Sequence, residues 1–233
     1  MADPYNTQMN RQLLQCAKTG DLAGVERLLA VGADPCNNNS EPLAWAANNG
    51  HAECVKLLIP VSDPKAESYP ALRWASKNGQ AECVKLLIPV CDPKANSSMA
   101  LLYGAQSGQA ECVKLLIPVS DPKAYNSRAL RYSAMNGHAE CVKLLTPTSD
   151  PLIEIKGLVG DAISSGNPAI LSIMIAHEPR LLKLMNLPSL LEEAMAQKHA
   201  ELAHLLSSII EGQSISAHLP QPTQSLSSTA PRL

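Results

Sequence analysis

Glu53, Glu82, Glu111 and Glu140 stand 29 residues apart, each inside the same stretch Ala-Glu-Cys-Val-Lys-Leu-Leu. A fixed period of this length marks a repeat architecture, in which one short unit cannot bury its own apolar face and buries it against its neighbours. The frame extends well beyond that stretch. Leu14, Leu43, Leu72, Leu101, Leu130 and Val159 form one column. Ala17, Ala46, Ala75, Gly104, Ser133 and Ala162 form a column of small residues, and Gly50, Gly79, Gly108, Gly137 and Gly166 a third. After Gly166 the frame gains three residues and resumes through Leu191, Ala194, Leu205 and Leu206, giving seven units in all.

Each unit reads as two short helices. The first runs roughly from Pro70 to Asn78, with Ser68 before it as an N-cap, matched in the other copies by Asn39, Ser97 and Asn126. Gly79 ends it, where a left-handed residue is wanted. The second runs roughly from Ala81 to Ile88 and stops before Pro89, which cannot continue it. Asp-Pro follows, and its recurrence at 34, 63, 92, 121 and 150 predicts the same turn each time. No stretch alternates with period two, so no strand is expected. The expectation is an all-α chain, an α-solenoid of about seven stacked helix-turn-helix units. Leu72, Leu86 and Leu87 would be covered by the units on either side, and Leu86→Ala is predicted to cost roughly 2–5 kcal/mol.

Composition removes several alternatives. With 45% hydrophobic and 17% charged residues the chain has enough apolar surface for a packed core. Aromatics make up only 3%, with no Phe, so aliphatic side chains must fill it. A net charge of -2 argues against a protein held to nucleic acid or anionic lipid by bulk charge. No apolar run reaches the roughly 18 residues of a spanning helix, and Met1 to Arg11 carries no signal-peptide pattern. A cytoplasmic, membrane-free protein is the expectation.

The candidate reactive residues are absorbed by the repeat. Seven Cys are present without a CxxC pair. Cys54, Cys83, Cys112 and Cys141 share a column with Val25, Ile170 and Leu202, so they read as small buried apolar groups. The run His51-Ala52-Glu53-Cys54 loses its His to Gln80 and Gln109 in the next units, which argues against catalysis. His199 and His204 are five apart and do not share a helix face, so no metal site is expected. Glu53 and Lys56, with their copies, read as exposed i, i+3 pairs. Neither an enzymatic activity nor a cofactor or small-molecule substrate is expected.

Near-identical copies permit an internal comparison. The differences concentrate on the first helix: Pro70, Met99, Arg128; Arg73, Leu102, Arg131; Trp74, Tyr103, Tyr132; Lys77, Gln106, Met135. These positions are i, i+3, i+4 and i+7, one helix face, opposite the Leu and Ala columns. Trp45, Trp74, Tyr103 and Tyr132 would form an aromatic ladder, flanked by Arg73, Lys77, Arg128 and Arg131. The bordering loop residues Tyr69 and Tyr125 vary too. Trp, Tyr and Arg are enriched at interface hot spots, so the strip reads as a binding face; the alternative is that its rings merely pack between units.

Gly20-Asp21-Leu22-Ala23-Gly24-Val25-Glu26-Arg27-Leu28-Leu29 followed by Gly32-Ala33-Asp34 resembles an ankyrin repeat, as does Pro42-Leu43-Ala44-Trp45-Ala46-Ala47-Asn48-Asn49-Gly50-His51. The resemblance covers residues 10–150 well and 151–210 weakly. It departs from the family's usual period of about 33 and its T-P-L-H motif, whose His is replaced by Ala44, Arg73, Leu102 and Arg131. The missing residues fall where the family places its β-hairpin finger, so reduced or absent fingers are expected. The resemblance implies a non-enzymatic scaffold that binds another protein, and the comparison of copies places that binding on the first-helix face, the expected concave surface. With four cations and only Glu41 and Asp161 as anions on the strip, the expected partner presents an acidic or mixed segment. A host-directed bacterial effector or signalling adaptor using the same face is the alternative, which would place the chain inside a host cell; a nucleic-acid binder is a weaker one. The expected organisation is a solenoid over 1–210, with a cap unit at 8–31, near-identical repeats at 32–150 and divergent repeats or a cap at 151–210, followed by a disordered tail at 211–233.

Overall fold

Seven helical hairpins follow one another along the chain in the computed structural model, which describes residues 4–65, 70–148 and 155–218. They are α1 (Pro4–Thr19) with α2 (Leu22–Ala30), α3 (Asn37–Asn48) with α4 (Ala52–Leu58), and α5 (Pro70–Lys77) with α6 (Ala81–Leu87). Next come α7 (Ala95–Gln106) with α8 (Ala110–Leu116), α9 (Ala124–Met135) with α10 (Ala139–Leu145), and α11 (Ile155–Ser165) with α12 (Pro168–His177). A short helix, α13 (Leu181–Leu184), takes up the three-residue insertion before the last pair, α14 (Leu187–Ala196) and α15 (Ala200–His218). Among the described residues there is no strand. The last helix continues past residue 210, where the sequence reading ended the solenoid; residues 219–233 of the expected tail lie outside the described residues.

The turns follow from the residues placed in them. Gly79 has φ +76. Its N–H donates to the Ser76 carbonyl (3.2 Å) and the Gln80 N–H to the Ala75 carbonyl (2.9 Å), the two bonds of a Schellman closure. In the described Asp-Pro turns the carboxylate caps the backbone two residues on, the expected turn at Asp150 lying outside the described residues: Asp63 Oδ1 accepts from the Lys65 N–H and Asp92 Oδ1 from the Lys94 N–H, both at 2.9 Å. Asp121 does the same with Lys123 (3.0 Å). A single compact turn thus stands where a projecting hairpin would need more chain.

The expected N-caps are corrected. Asn39 and Asn126 do not cap a helix; they sit inside left-handed turns that open α3 and α9, over Asn38, Asn39 and Ser40 and over Tyr125, Asn126 and Ser127. Ser68 and the Ser97 side chain lie outside the described residues. The working hydroxyl is one residue later. Ser40 Oγ accepts from the Asp63 N–H and Ser98 Oγ from the Asp121 N–H, both at 2.8 Å. Each bond ties the start of one unit to the turn of the next. Left-handed backbone costs a non-glycine residue about 1–2 kcal/mol, and Asn and Ser tolerate it because their short polar side chains bond locally.

Stacking buries the columns. Leu43, Leu72, Leu101, Leu130 and Val159 are buried, as are Ala17, Ala46, Ala75, Ser133 and Ala162. Gly104 lets neighbouring first helices approach: a Cβ there would meet Ser76 Oγ, which donates to the Ala100 carbonyl at 2.7 Å. Leu14 is only half-buried, and Leu13 takes the core position in the first unit. Leu86 is also corrected: Cys83, Val84 and Leu87 form the buried face of α6, while Leu86 lies half-buried at its flank. The Cys column is buried and its thiols are free. First helices pack in succession, α3 on α1, α5 on α3, α7 on α5, α9 on α7 and α11 on α9, and second helices α4, α6, α8, α10 and α12 do the same.

Candidate protein-binding face

The aromatic positions lie on the first helices α3, α5, α7 and α9, and all four rings are half-buried. Trp45 and Trp74 touch, with centroids 5.7 Å apart and planes at 59°; among the described residues the other rungs make no such ring contact. Trp74 and Tyr132 also rest on the core. These rings therefore pack between units on one side and show an edge on the other, as large amphipathic rings do. Trp45 is closed in further. Lys18 Nζ stands 4.4 Å from its ring centroid, and its Nε1 donates to Glu41 Oε1 (3.1 Å). Sequence comparison missed Lys18; the signal was a long cation where the following units carry Ala47, Ser76, Ala105 and Ala134.

The flanking column is not uniform. Leu102 is 7% exposed and faces into the stack, which removes it from the expected surface: an aliphatic side chain at this position folds inward where an Arg reaches out. Arg131 reaches into the next unit, where its Nε donates to Asp161 Oδ2 (2.9 Å). Asp161 occupies the position that carries the aromatic ring in earlier units. Gly157 leaves room for that guanidinium, since a Cβ there would lie 3.4 Å from Arg131 Cζ. Arg73 is half-buried, and its Nε is shut from solvent with no hydrogen-bond acceptor. Lys77 is exposed and Gln106 half-buried. Tyr69 lies outside the described residues.

The fifth unit is the most open part of the face. Arg128 lies over the Tyr132 ring, Cζ 4.9 Å from the centroid, and donates to the Tyr132 hydroxyl. Tyr125 and Met135 are 56% and 44% exposed. With Arg131 and Asp161 these side chains line an open concavity of about 530 Å³. Its chemistry is apolar and cationic together, suited to a partner side chain with an apolar body.

The reactive-looking residues have structural partners. His51 Nε2 lies 3.0 Å from the Lys18 carbonyl and His138 Nε2 3.0 Å from the Gln106 carbonyl, so each ring clasps the preceding unit. Gln80 does the same toward the Asn48 carbonyl (3.4 Å). Burial pushes the Cys83, Cys112 and Cys141 thiols up to about 11, far from thiolate chemistry at neutral pH. Glu53 and Glu82 pair with Lys56 and Lys85 at 2.6 Å on the exposed face of the second helices. Among the described residues no three His, Cys, Asp or Glu converge on a metal position, and no helix is long and apolar enough to cross a membrane.

Comparison with known proteins agrees with this architecture. A search of curated protein sequences finds no match. Among solved structures, the crystal structure of the human ASB11 ankyrin repeat domain superposes with a TM-score of 0.63 at 19% identity, covering 71% of this chain and 83% of that one. At that identity the likeness concerns the fold alone. The family model described as "Ankyrin repeats (3 copies)" matches residues 13–97 and again 72–155. Together these matches span more than half of the sequence, and the chain belongs to the ankyrin-repeat family.

Proposed function

We propose that the chain is a non-enzymatic binding module that holds a partner protein along its first-helix face, centred on the fifth unit. Ankyrin repeats generally mediate protein–protein interaction, and the successive packing of first helices lines their outer side chains up as one strip. The observation that carries the reading is the cluster of exposed Tyr125 and Met135 beside the Arg128–Tyr132 stack. Large apolar side chains left open around a concavity, with an Arg at its rim, have the make-up of an interface centre. Trp74, Tyr103 and Tyr132 contribute through their open edges, and Lys77 and Arg73 add positive charge.

The test uses the exposed side chains, because truncating Trp74 or Tyr132 would also disturb packing. Affinity capture with mass spectrometry compares the wild type with the triple variant Tyr125→Ala, Arg128→Ala, Met135→Ala. A protein held by the wild type and lost from the variant, at an unchanged melting midpoint, supports the face. The same set of proteins on both baits overturns it.

A further inference from the structure

Arg73 and Arg131 occupy the same position two units apart. Arg131 projects into the next unit and finds Asp161, with an Nε–Oδ2 distance of 2.9 Å. The residue standing to Arg73 as Asp161 stands to Arg131 is Tyr103, which carries no carboxylate. Arg73 Nε is accordingly enclosed without an acceptor. The rest of its half-buried side chain makes no hydrogen bond or ion pair among the described residues, and Lys77, exposed one turn on, adds a second cation. In the intervening unit the position is held by the buried Leu102.

We propose that Arg73 anchors a carboxylate of the bound partner through its terminal Nη groups, its Nε being closed to any incoming group; the carboxylate belongs to an Asp or Glu of an acidic peptide segment lying over Tyr103. The inference rests on the binding face argued above and names what that face selects. A guanidinium already partly withdrawn from water bonds a carboxylate more strongly than a fully solvated one, and its planar fork fits two oxygens. Neighbouring helices lie about 8–10 Å apart, so Arg73 and the concavity of the fifth unit are separated by roughly 20 Å. An extended chain rising about 3.3 Å per residue covers that in about six residues. The segment thus pairs an acidic residue with an apolar one about six positions away.

The experiment is selection of a random dodecapeptide library displayed on phage against the full chain, with the selected peptides then synthesised. The expected result is enrichment of Asp or Glu at about six positions from an aromatic or large aliphatic residue. Arg73→Gln should weaken such peptides at least tenfold, while Lys65→Gln, away from the strip, leaves them unchanged. Arg73→Glu should regain binding when the peptide's acidic residue is replaced by Lys. Thermal melts of each variant separate lost binding from lost fold. Peptides that bind Arg73→Gln as well as the wild type, yet fail on the Tyr125, Arg128 and Met135 variant, overturn the Arg73 anchor and leave the face standing. Peptides indifferent to both variants, or a selection that enriches none, overturn the anchor and the face together.

Discussion

The imidazole of His138 lies across Gly108, with Nε2 3.0 Å from the Gln106 carbonyl and Nδ1 where a Cβ on Gly108 would come within 2.6 Å of it. The same clasp recurs between His51 and Gly20 and, with a Gln, between Gln80 and Gly50, and the Gln109 amide lies likewise across Gly79. Each links the end of one first helix to the start of the second helix in the next unit. The glycine therefore meets two demands at once: a left-handed turn and an open face for the neighbour's ring or amide.

Gly137 separates those demands. It has φ +78 but no atom within 4 Å of a would-be Cβ, whereas Gly108 has φ +74 and the His138 ring. Gly137→Ala should cost only the backbone penalty of about 1–2 kcal/mol. Gly108→Ala should cost more, because the ring must also move and release its carbonyl. Urea denaturation of the two variants checks this; equal losses would mean that the clasp adds nothing.

Leu87→Ala is expected to destabilise by about 2–5 kcal/mol, since Leu87 is fully buried and the stack cannot collapse freely around the void. Leu86→Ala should cost distinctly less, because its side chain is already half open to water. Melting midpoints of the two variants decide the ranking. Larger destabilisation at Leu86 would contradict the observed phase of α6.

How far these features were legible in the sequence depends on whether the period or the third dimension determines them. Gly79 and the Asp-Pro turns were readable because identical copies expose every position that must not change. Adjacent Leu86 and Leu87 were not separable in this way: both recur, and only the turn of the helix places one inside. Asn39 has the residue type of an N-cap, yet it lies inside a left-handed turn, and the neighbouring Ser40 hydroxyl instead binds the Asp63 N–H of the following turn; handedness leaves no trace in residue spacing. On the face, variation between copies found Trp74, Tyr132 and Arg128 but included Leu102, whose inward fold depends on its own apolarity. Arg131 read as an open cation until the next unit brought Asp161 beside it, 30 residues along the chain.

Ser98 offers a local test of the inter-unit bonds. Its hydroxyl accepts from the Asp121 N–H at 2.8 Å, and the turn containing Asp121 then orders Lys123. Ser98→Ala removes that acceptor and should cost about 1 kcal/mol. Hydrogen exchange gives the sharper readout: the Asp121 amide should exchange faster, while that of Asp63, held by Ser40, should keep its rate. Unchanged protection at Asp121 would refute the tie.

The buried thiols set a pH dependence. Burial, aided by Glu82, Glu111 and Glu140 on the same helices, raises Cys83, Cys112 and Cys141 from 9.0 to about 11. Between these values the unfolded chain releases the three protons while the folded chain keeps them. Fewer protons on the unfolded state make stability fall as pH rises, so the contribution is complete below about 9 and lost on passing through about 11. Replacing all three by Val, the residue at the matching position 25, should flatten the loss relative to the wild type, with Lys and Tyr titration common to both. Urea midpoints followed from pH 7.5 to 10.5 measure the difference, and parallel curves would reject the assignment. Under native conditions at pH 8, exposed Cys36 should react with a thiol reagent well before the column does.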